Sequence, residues 1–335
     1  MAAEHLYRTV HAIAGCLALT FLFTACSHPA PRSARAANYV TEYGLGPDKW
    51  ATAWLLTRHA GSDARLVVSM PGEPLPAGTP FDLPSSAIRR TADQSAFEVA
   101  SARLNVTDPV VLELARYVHE MEINFWTNDG PAQATVIEEA YRSLQHRYGR
   151  DAVPPQCYVA FFDRVYQVMS DSRARALPLA AERLALDCGE LVHTADKSRE
   201  RIPEVPIVDV LSAVAAGRKV IFVDVRESDE FAEGHIPGAL NIPIRAVGQQ
   251  LREQLDGADY VVSYCVKDFR GFEMAKALAN VGVRHSVIMR PYGIKGWATL
   301  GLPVTGARAL SEEHAQQALA GCLSNVSACL AREGA

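Results

Sequence analysis

The rhythm of hydrophobic and polar positions changes near residue 204 of the 335-residue chain. Before it, apolar residues recur mostly at helical spacing, which predicts a mostly α-helical (α+β) region with one clear short strand, ARLVVSM. After it, strand-like and helical runs alternate, which predicts an α/β domain built on a parallel sheet with helices on both faces. Helices of the first region are predicted at 131–148, 155–170 and 174–187, and at a segment capped by Asp108 and opened by Pro109.

The segment DKSRERIPEVP is charged and then interrupted by two prolines, which is typical of a linker. It divides the chain into a first domain at 46–198 and a second at 199–308. Residues 309–335 are predicted to form one further helix that packs back on a domain.

The N-terminus has the proportions of a signal peptide. Its apolar run, 12–25, is shorter than the roughly 20 residues that span a bilayer. The run ends in LFTAC, which resembles a bacterial lipobox and implies lipidation of Cys26. We therefore predict a signal peptide at 1–26 and a flexible tether at 27–45, the alternative being a plain cleaved signal or a short anchor.

These features predict a cell-envelope protein, lipid-anchored in the periplasm or outer membrane, that meets the membrane only through its lipid. Ser27 after the lipidated cysteine favours the outer membrane. If the start or the lipobox is misread, the protein is cytoplasmic. The net charge of −5 gives no basic footprint, so no nucleic-acid partner is expected.

Removal of Cys16 and lipidation of Cys26 leave five cysteines, so at least one thiol stays unpaired within the chain. Within one straight helix Cys322 and Cys329 could not form a disulfide. Seven residues rise about 10.5 Å, whereas a disulfide needs Cα atoms within roughly 7 Å.

Two motifs of the second domain carry a family resemblance. The stretches VDVRESDEFAEGHIPGALNIP (223–243) and GIKGWATLGLPV (293–304) make residues 204–305 resemble a single rhodanese domain, the alternative being an unrelated flavodoxin-like unit. The resemblance implies a sulfurtransferase, of the thiosulfate sulfurtransferase type, that carries sulfur as a cysteine persulfide. Its partners would be a small sulfur donor and a thiol acceptor.

Cys265 ends a strand and precedes a helix, where free N–H groups and the helix dipole are expected to lower a thiol pKa. The resemblance implies that Cys265 is the nucleophile and that Arg270 pairs with an anionic donor. The residues assigned to substrate binding are Val266, Lys267, Asp268, Phe269 and Gly271.

Only four residues separate Cys265 from Arg270. Cysteine-based phosphatases and related arsenate reductases need five, enough to wrap a tetrahedral oxyanion. The smaller loop suits a sulfur atom, so those two activities are rejected.

Asp268 makes this loop atypical, since many active rhodanese loops have glycine there and Ser or Thr at the position of Gly271. Aspartate tolerates a left-handed backbone, or it could cap the helix that begins near Phe269. A carboxylate beside the loop opposes both a thiolate and a dianion, and Lys267 and Arg270 offset it only partly. Weak thiosulfate activity is therefore expected.

Three residues of the first rhodanese-like motif are assigned structural roles. Asp224 and Arg226 are predicted to form an ion pair at a strand end, and His235 to pack a turn.

The first domain carries a second resemblance. DKWATAWLL, GTPFDLP, RRTADQSAFEVA and LARYVHEMEINFW resemble the C-terminal domain of ChrB-type chromate-resistance proteins, over about eighty residues. His119 and Glu122 are neighbours on one helix and could hold a metal ion or an oxyanion-linked proton, although no complete ligand set is visible. The alternative is a salt-bridged polar seam with Lys49, Arg89 or Arg90.

Two functional hypotheses remain, since a third, direct chromate reduction by Cys265, has no special support from a loop built for sulfur. The first is an envelope lipoprotein that joins a sulfurtransferase to a chromate-resistance-like domain and serves metal or oxidant stress tolerance. The second is a catalytically weak rhodanese-like binding module, or a redox or metal (chromate) sensor, in which Asp268 has silenced the loop.

Overall fold

The computed structural model describes residues 37–175, 178–189, 202–244 and 249–331. The described residues lie in one compact unit. No helix in these four ranges is long and apolar enough to cross a membrane. The predicted signal peptide, its lipobox and Cys26 lie outside the described residues.

The first domain packs helices on a small parallel sheet of three strands. One of these strands, Asn38–Glu42, lies inside the predicted tether, so that part of the tether prediction is wrong. Its Val40 is buried and its backbone pairs with Arg65–Ser69, which anchors the segment. The elements are β1 Asn38–Glu42, α1 Pro47–His59, β2 Arg65–Ser69, β3 Thr79–Pro80, α2 Ala96–Arg103, α3 Pro109–Glu122, α4 Ala132–Tyr148, α5 Pro155–Arg175 and α6 Ala181–Leu184.

The start of α3 is as the sequence predicts. The Asp108 side chain accepts a hydrogen bond of 2.8 Å from the Val110 N–H, and Pro109 occupies the first turn. The helix predicted at 174–187 is wrong, because α6 has only four residues. Pro178, which cannot continue a helix, separates it from α5.

The second domain is a five-stranded, all-parallel sheet in the order β4-β8-β7-β5-β6, which confirms the predicted α/β class. Its central strand β7 reads YVVSY and is buried at four of five positions. The elements are β4 Glu204–Pro206, α7 Ile207–Ala215, β5 Val220–Asp224, α8 Ser228–Glu233, β6 Leu240–Asn241, α9 Gln249–Leu255, β7 Tyr260–Tyr264, α10 Phe269–Asn280, β8 Ser286–Arg290 and α11 Gly293–Thr299.

The C-terminal segment is not one helix, as predicted, but two: α12 Glu312–Leu323 and α13 Val326–Leu330. Asn325 accepts a hydrogen bond from the Ala328 N–H and so caps the second helix. The turn between them brings the Cα atoms of Cys322 and Cys329 to 5.2 Å, and they form a disulfide. The straight-helix argument against this bridge therefore does not apply.

A second disulfide joins Cys157 on α5 to Cys188, with 31 residues of separation. Of the cysteines that the structure describes, Cys265 is the free one.

The two domains share their hydrophobic cores. Phe269 of the second domain is buried within the core cluster of the first. In return, Phe125, just after α3, is buried in the core of the second. The loop after β7 therefore lies at the junction of the two domains.

Candidate active site

Cys265 lies directly after β7, at the carboxyl end of a central strand, where open parallel sheets place ligands. Its carbonyl accepts a hydrogen bond of 2.9 Å from the Ile294 N–H, and that of Val266 accepts one of 2.9 Å from the Lys295 N–H. Gly293, with φ +64°, begins the segment that donates them. A Cβ atom there would collide with the carbonyl oxygens of the loop, so this position requires glycine.

Gly271 has a packing explanation. A Cβ atom there would lie 3.0 Å from the Ser263 oxygen and 3.0 Å from the Tyr264 Cα. Glycine therefore lets the first turn of α10 approach β7 closely. The assignment of Gly271 to substrate binding stays a prediction.

Arg270 is buried and forms a two-pronged ion pair with Glu230, with both N–O distances 2.8 Å. Burial alone would raise the pKa of Glu230, but Arg270, Arg90 and Arg226 outweigh it and lower this pKa to about 2. The Arg270 Nε is buried without a hydrogen-bond partner. The guanidinium is thus oriented by Glu230 while one of its donors stays available.

Cys265 is completely buried. Burial raises the pKa of its thiol, the charge of Arg270 lowers it and that of Glu122 raises it, and the net direction is upward. The expectation of a lowered thiol pKa is therefore wrong, because the desolvation cost outweighs the helix start and the arginine.

Asp268 precedes α10 but its side chain makes no capping hydrogen bond, so the capping interpretation is wrong. Its carboxylate accepts hydrogen bonds of 2.6 and 3.1 Å from Arg142, and one from Arg150. Burial alone would raise the pKa of Asp268, but the two arginines outweigh it and the pKa is lowered. The carboxylate is therefore committed to the first domain.

The residues on either side of Asp268 also contact the first domain. Lys267 forms an ion pair with Glu138. The Phe269 ring lies edge-on to Tyr141, with 5.8 Å between centroids, and 4.4 Å beneath the Arg142 guanidinium. Val266 is buried in the core of the second domain.

Two known protein families match this chain. The family model described as the rhodanese-like domain matches residues 208–300, and that described as the C-terminal domain of ChrB matches residues 39–169. The human thiosulfate:glutathione sulfurtransferase is 32% identical over 99 residues, covering 25% of this chain and 85% of the relative. The chain belongs to the rhodanese-like family.

Two further relatives match part of the chain. A sulfurtransferase of Allochromatium vinosum is 29% identical over 103 residues, which cover 31% of this chain and 94% of the relative. An HTH-type transcriptional regulator of Mycobacterium tuberculosis is 38% identical over 90 residues, or 26% of this chain, and the chain spans only 38% of its length. The sulfurtransferase relatives support a sulfurtransferase-type activity for the rhodanese-like domain.

Within the rhodanese-like domain, the predicted structural residues lie as expected. Arg226 donates to both Asp224 oxygens, at 2.9 Å and 2.6 Å, and this pair is fully buried. The His235 ring stacks on Phe231, and its Nδ1 lies 2.8 Å from the Phe231 carbonyl oxygen.

His119 and Glu122, the predicted metal-binding pair of the ChrB C-terminal domain, each bind a different side chain. His119 Nδ1 lies 3.0 Å from Glu98, whereas the buried Glu122 accepts a 2.9 Å hydrogen bond from Arg90. Among the described residues, no group of three or more His, Cys, Asp or Glu side chains could hold a metal ion. The pairing of Glu122 with Arg90 is the salt-bridged seam of the alternative interpretation.

Arg90 is the centre of a buried ionic cluster. Its guanidinium lies 3.1 Å from Asp48, 3.6 Å from Asp82 and 2.9 Å from Glu122, and Asp82 also lies 2.7 Å from Lys49. Burial raises the pKa of Asp48 to about 6, although Arg90 opposes the shift. One carboxylate oxygen of Glu122, Oε1, is buried without a hydrogen-bond partner.

Sequence reasoning predicted roles for Cys265 and Arg270, which stay predictions, and it missed the contacts of Glu138, Arg142 and Arg150 with the loop. These three lie on or just after α4, more than a hundred residues before the loop. No local pattern in that helix distinguishes its interdomain partners from ordinary surface charges.

Proposed function

We propose that the protein is a sulfurtransferase in which Cys265 carries sulfur as a persulfide. The observation that supports this most directly is a free cysteine in a four-residue loop whose backbone is fixed by the Gly293 segment. The loop belongs to a rhodanese-like domain with sulfurtransferase relatives.

In the proposed step the Cys265 thiolate attacks the outer sulfur of the donor. A bond forms between Sγ and that sulfur, the donor's own bond to it breaks, and the leaving group departs with the bonding electrons. From thiosulfate the products are the Cys265 persulfide anion and sulfite. An acceptor thiolate then removes the outer sulfur and regenerates the Cys265 thiolate.

Weak thiosulfate turnover remains the expected result, but its reason changes. The charge of Asp268 is paired with Arg142 and Arg150, and it contributes less to the raised thiol pKa than burial and Glu122 do. The raised thiol pKa and the burial of Cys265 instead limit the supply of thiolate at neutral pH.

The decisive experiment is mass spectrometry of the protein after treatment with thiosulfate or a low-molecular-weight persulfide. The wild type is expected to gain 32 Da, about the mass of one sulfur atom, on the peptide that contains Cys265. Cys265→Ser is expected to gain nothing there. A wild type that takes up no sulfur from either donor would overturn the proposal.

We further propose that the protein acts in the cell envelope, in metal or oxidant stress tolerance, as a lipoprotein anchored through Cys26. Two disulfides in the described residues favour an oxidising compartment. Labelled palmitate that enters the wild type but not Cys26→Ala, followed by fractionation, tests the anchor. Unlabelled protein in the cytoplasmic fraction would contradict it.

The complete burial of Cys265 limits turnover, which favours one second candidate, a catalytically weak rhodanese-like module that binds or senses rather than transfers sulfur. The two candidates differ in the fate of the thiol. A sensor would oxidise without accepting a transferable sulfur, whereas the sulfurtransferase passes its persulfide sulfur to an added thiol.

A further inference from the structure

The ChrB C-terminal domain covers the loop that carries Cys265. Cys265, Asp268 and Phe269 are each at most 1% exposed. The cover is made by four side chains of α4 and the segment just after it: Glu138, Tyr141, Arg142 and Arg150. They contact Lys267, Asp268 and Phe269, so the three central residues of the loop face the first domain rather than solvent.

The space beside Arg270 does not extend to the thiol. Arg270 lines a cavity of about 40 Å³, whose wall also includes Lys49, Asp82 and Arg90 of the first domain. A water molecule needs at least about 10–15 Å³ of such space, so the cavity holds about three waters. Cys265 is not among the residues that line it. A sulfur donor or an acceptor thiol therefore needs the cover to move before it can reach the Cys265 Sγ.

Three lysine–carboxylate pairs of the described residues cross between the domains, and we call them the seam. They are Glu138 with Lys267, Asp151 with Lys276, and Glu120 with Lys295. In each pair the first domain supplies the carboxylate and the rhodanese-like domain supplies the ammonium group. Their side chains are 11% to 28% exposed, so water and dissolved salt reach them. The seam is therefore a part of the cover that ionic strength weakens.

We propose that the ChrB C-terminal domain is a gate on Cys265, whose thiol reacts only when the seam opens and α4 separates from the loop. The inference rests on the proposed sulfurtransferase function and adds a regulation to the same site. Opening removes Asp268 from its two arginines and exposes Phe269, which is buried in the core of the first domain. Both changes cost free energy, so the open state is rare and each sulfur transfer has to wait for it.

The most exposed pair of the seam, Asp151 with Lys276, allows a test that leaves the loop unchanged. Lys276→Glu brings two carboxylates together, Asp151→Lys brings two ammonium groups together, and the double variant restores an ion pair of reversed sign. The readout is the rate at which uncharged iodoacetamide alkylates Cys265 in the folded protein at one fixed pH, followed by mass spectrometry. When opening and closing are fast, this rate follows the population of the open state.

Each single reversal should accelerate alkylation at least about threefold, and the double variant should return to within about twofold of the wild type. The two reversals change the local charge in opposite directions, so acceleration by both cannot come from an electrostatic effect on the thiol itself. In the wild type, raising sodium chloride from about 0.05 M to about 0.5 M should also accelerate alkylation, measured relative to a free cysteine derivative in the same buffer.

Arg218→Glu is the matched control, because Arg218 pairs with Asp259 at 3.2 Å inside the rhodanese-like domain, away from the seam. Alkylation that the seam reversals leave unchanged, or that the control accelerates equally, would overturn the gate. A double variant as fast as the single ones would overturn it too, since the substitutions would then have loosened the fold rather than the seam. Alkylation requires no sulfur transfer. Reversal variants that alkylate faster but take up no sulfur from thiosulfate or a low-molecular-weight persulfide would support the gate and reject the sulfurtransferase.

Discussion

Replacing Asp268 by Asn removes the one negative charge that the rhodanese-like loop presents to Arg142 and Arg150. The carboxylate is 1% exposed, so water cannot take its place. Breaking a buried pair costs about 3–5 kcal/mol. Arg142 keeps a second partner, Glu138, at 2.8 Å, so we take about 2–4 kcal/mol for the loss in free energy of unfolding.

Urea and thermal unfolding measure this loss. At about 2–4 °C for each kcal/mol, the midpoint temperature should fall by about 4–16 °C. The control is Asp256→Asn, an exposed aspartate of the same domain, which should change stability by less than about 0.5 kcal/mol.

The effect must also depend on pH in one direction. The pKa of Asp268 is lowered in the folded state, so its contribution is complete above the ordinary aspartate pKa of about 3.9. It is lost as the pH falls from there through the lowered pKa. The difference between wild type and Asp268→Asn should therefore be constant near neutrality and shrink in acid. An Asn variant as stable as the control at pH 7 would refute the ionic role of Asp268.

Three further outcomes follow from the loop and its surroundings. Alkylation of Cys265 should accelerate as the pH rises above neutrality, because burial raises the thiol pKa, and a rate already at its plateau by about pH 7 would contradict this. Gly293→Ala should lower persulfide formation and the midpoint temperature more than Gly217→Ala, whose φ of +75° is similar but whose surroundings are open. Replacing Cys157 and Cys188 by Ala should cost about 3–4 kcal/mol of unfolding free energy, measured without reductant, and a loss below about 1 kcal/mol would contradict the loop-closure reasoning.

The features that the sequence predicts correctly are those determined by neighbouring residues along the chain. Cys265 ends an apolar run and precedes a helical pattern, and Asp108 stands before a proline and an amphipathic run. In each case the neighbours along the chain determine the structure. Asn325 is a residue type favoured at helix starts, and it lies at the break in the predicted C-terminal helix, where its side chain caps α13.

The interdomain ion pairs of Asp268 could not be predicted, because the paired residues are far apart along the chain. Arg142 and Arg150 precede Asp268 by 126 and 118 residues. The thiol pKa was predicted in the wrong direction for the same reason. The helix start is encoded beside Cys265, whereas the burial that outweighs it depends on how the whole chain packs around the loop.

The burial of Phe269 among residues of the ChrB C-terminal domain has a consequence for modularity. A rhodanese-like domain cut out of this chain would expose that ring together with the unpaired charges of Lys267 and Asp268. An apolar patch of this kind beside a sheet favours aggregation. We therefore expect the two domains to express stably only together, and exchanging this second domain for a freestanding rhodanese would require its loop residues and the facing side of α4 to be exchanged together.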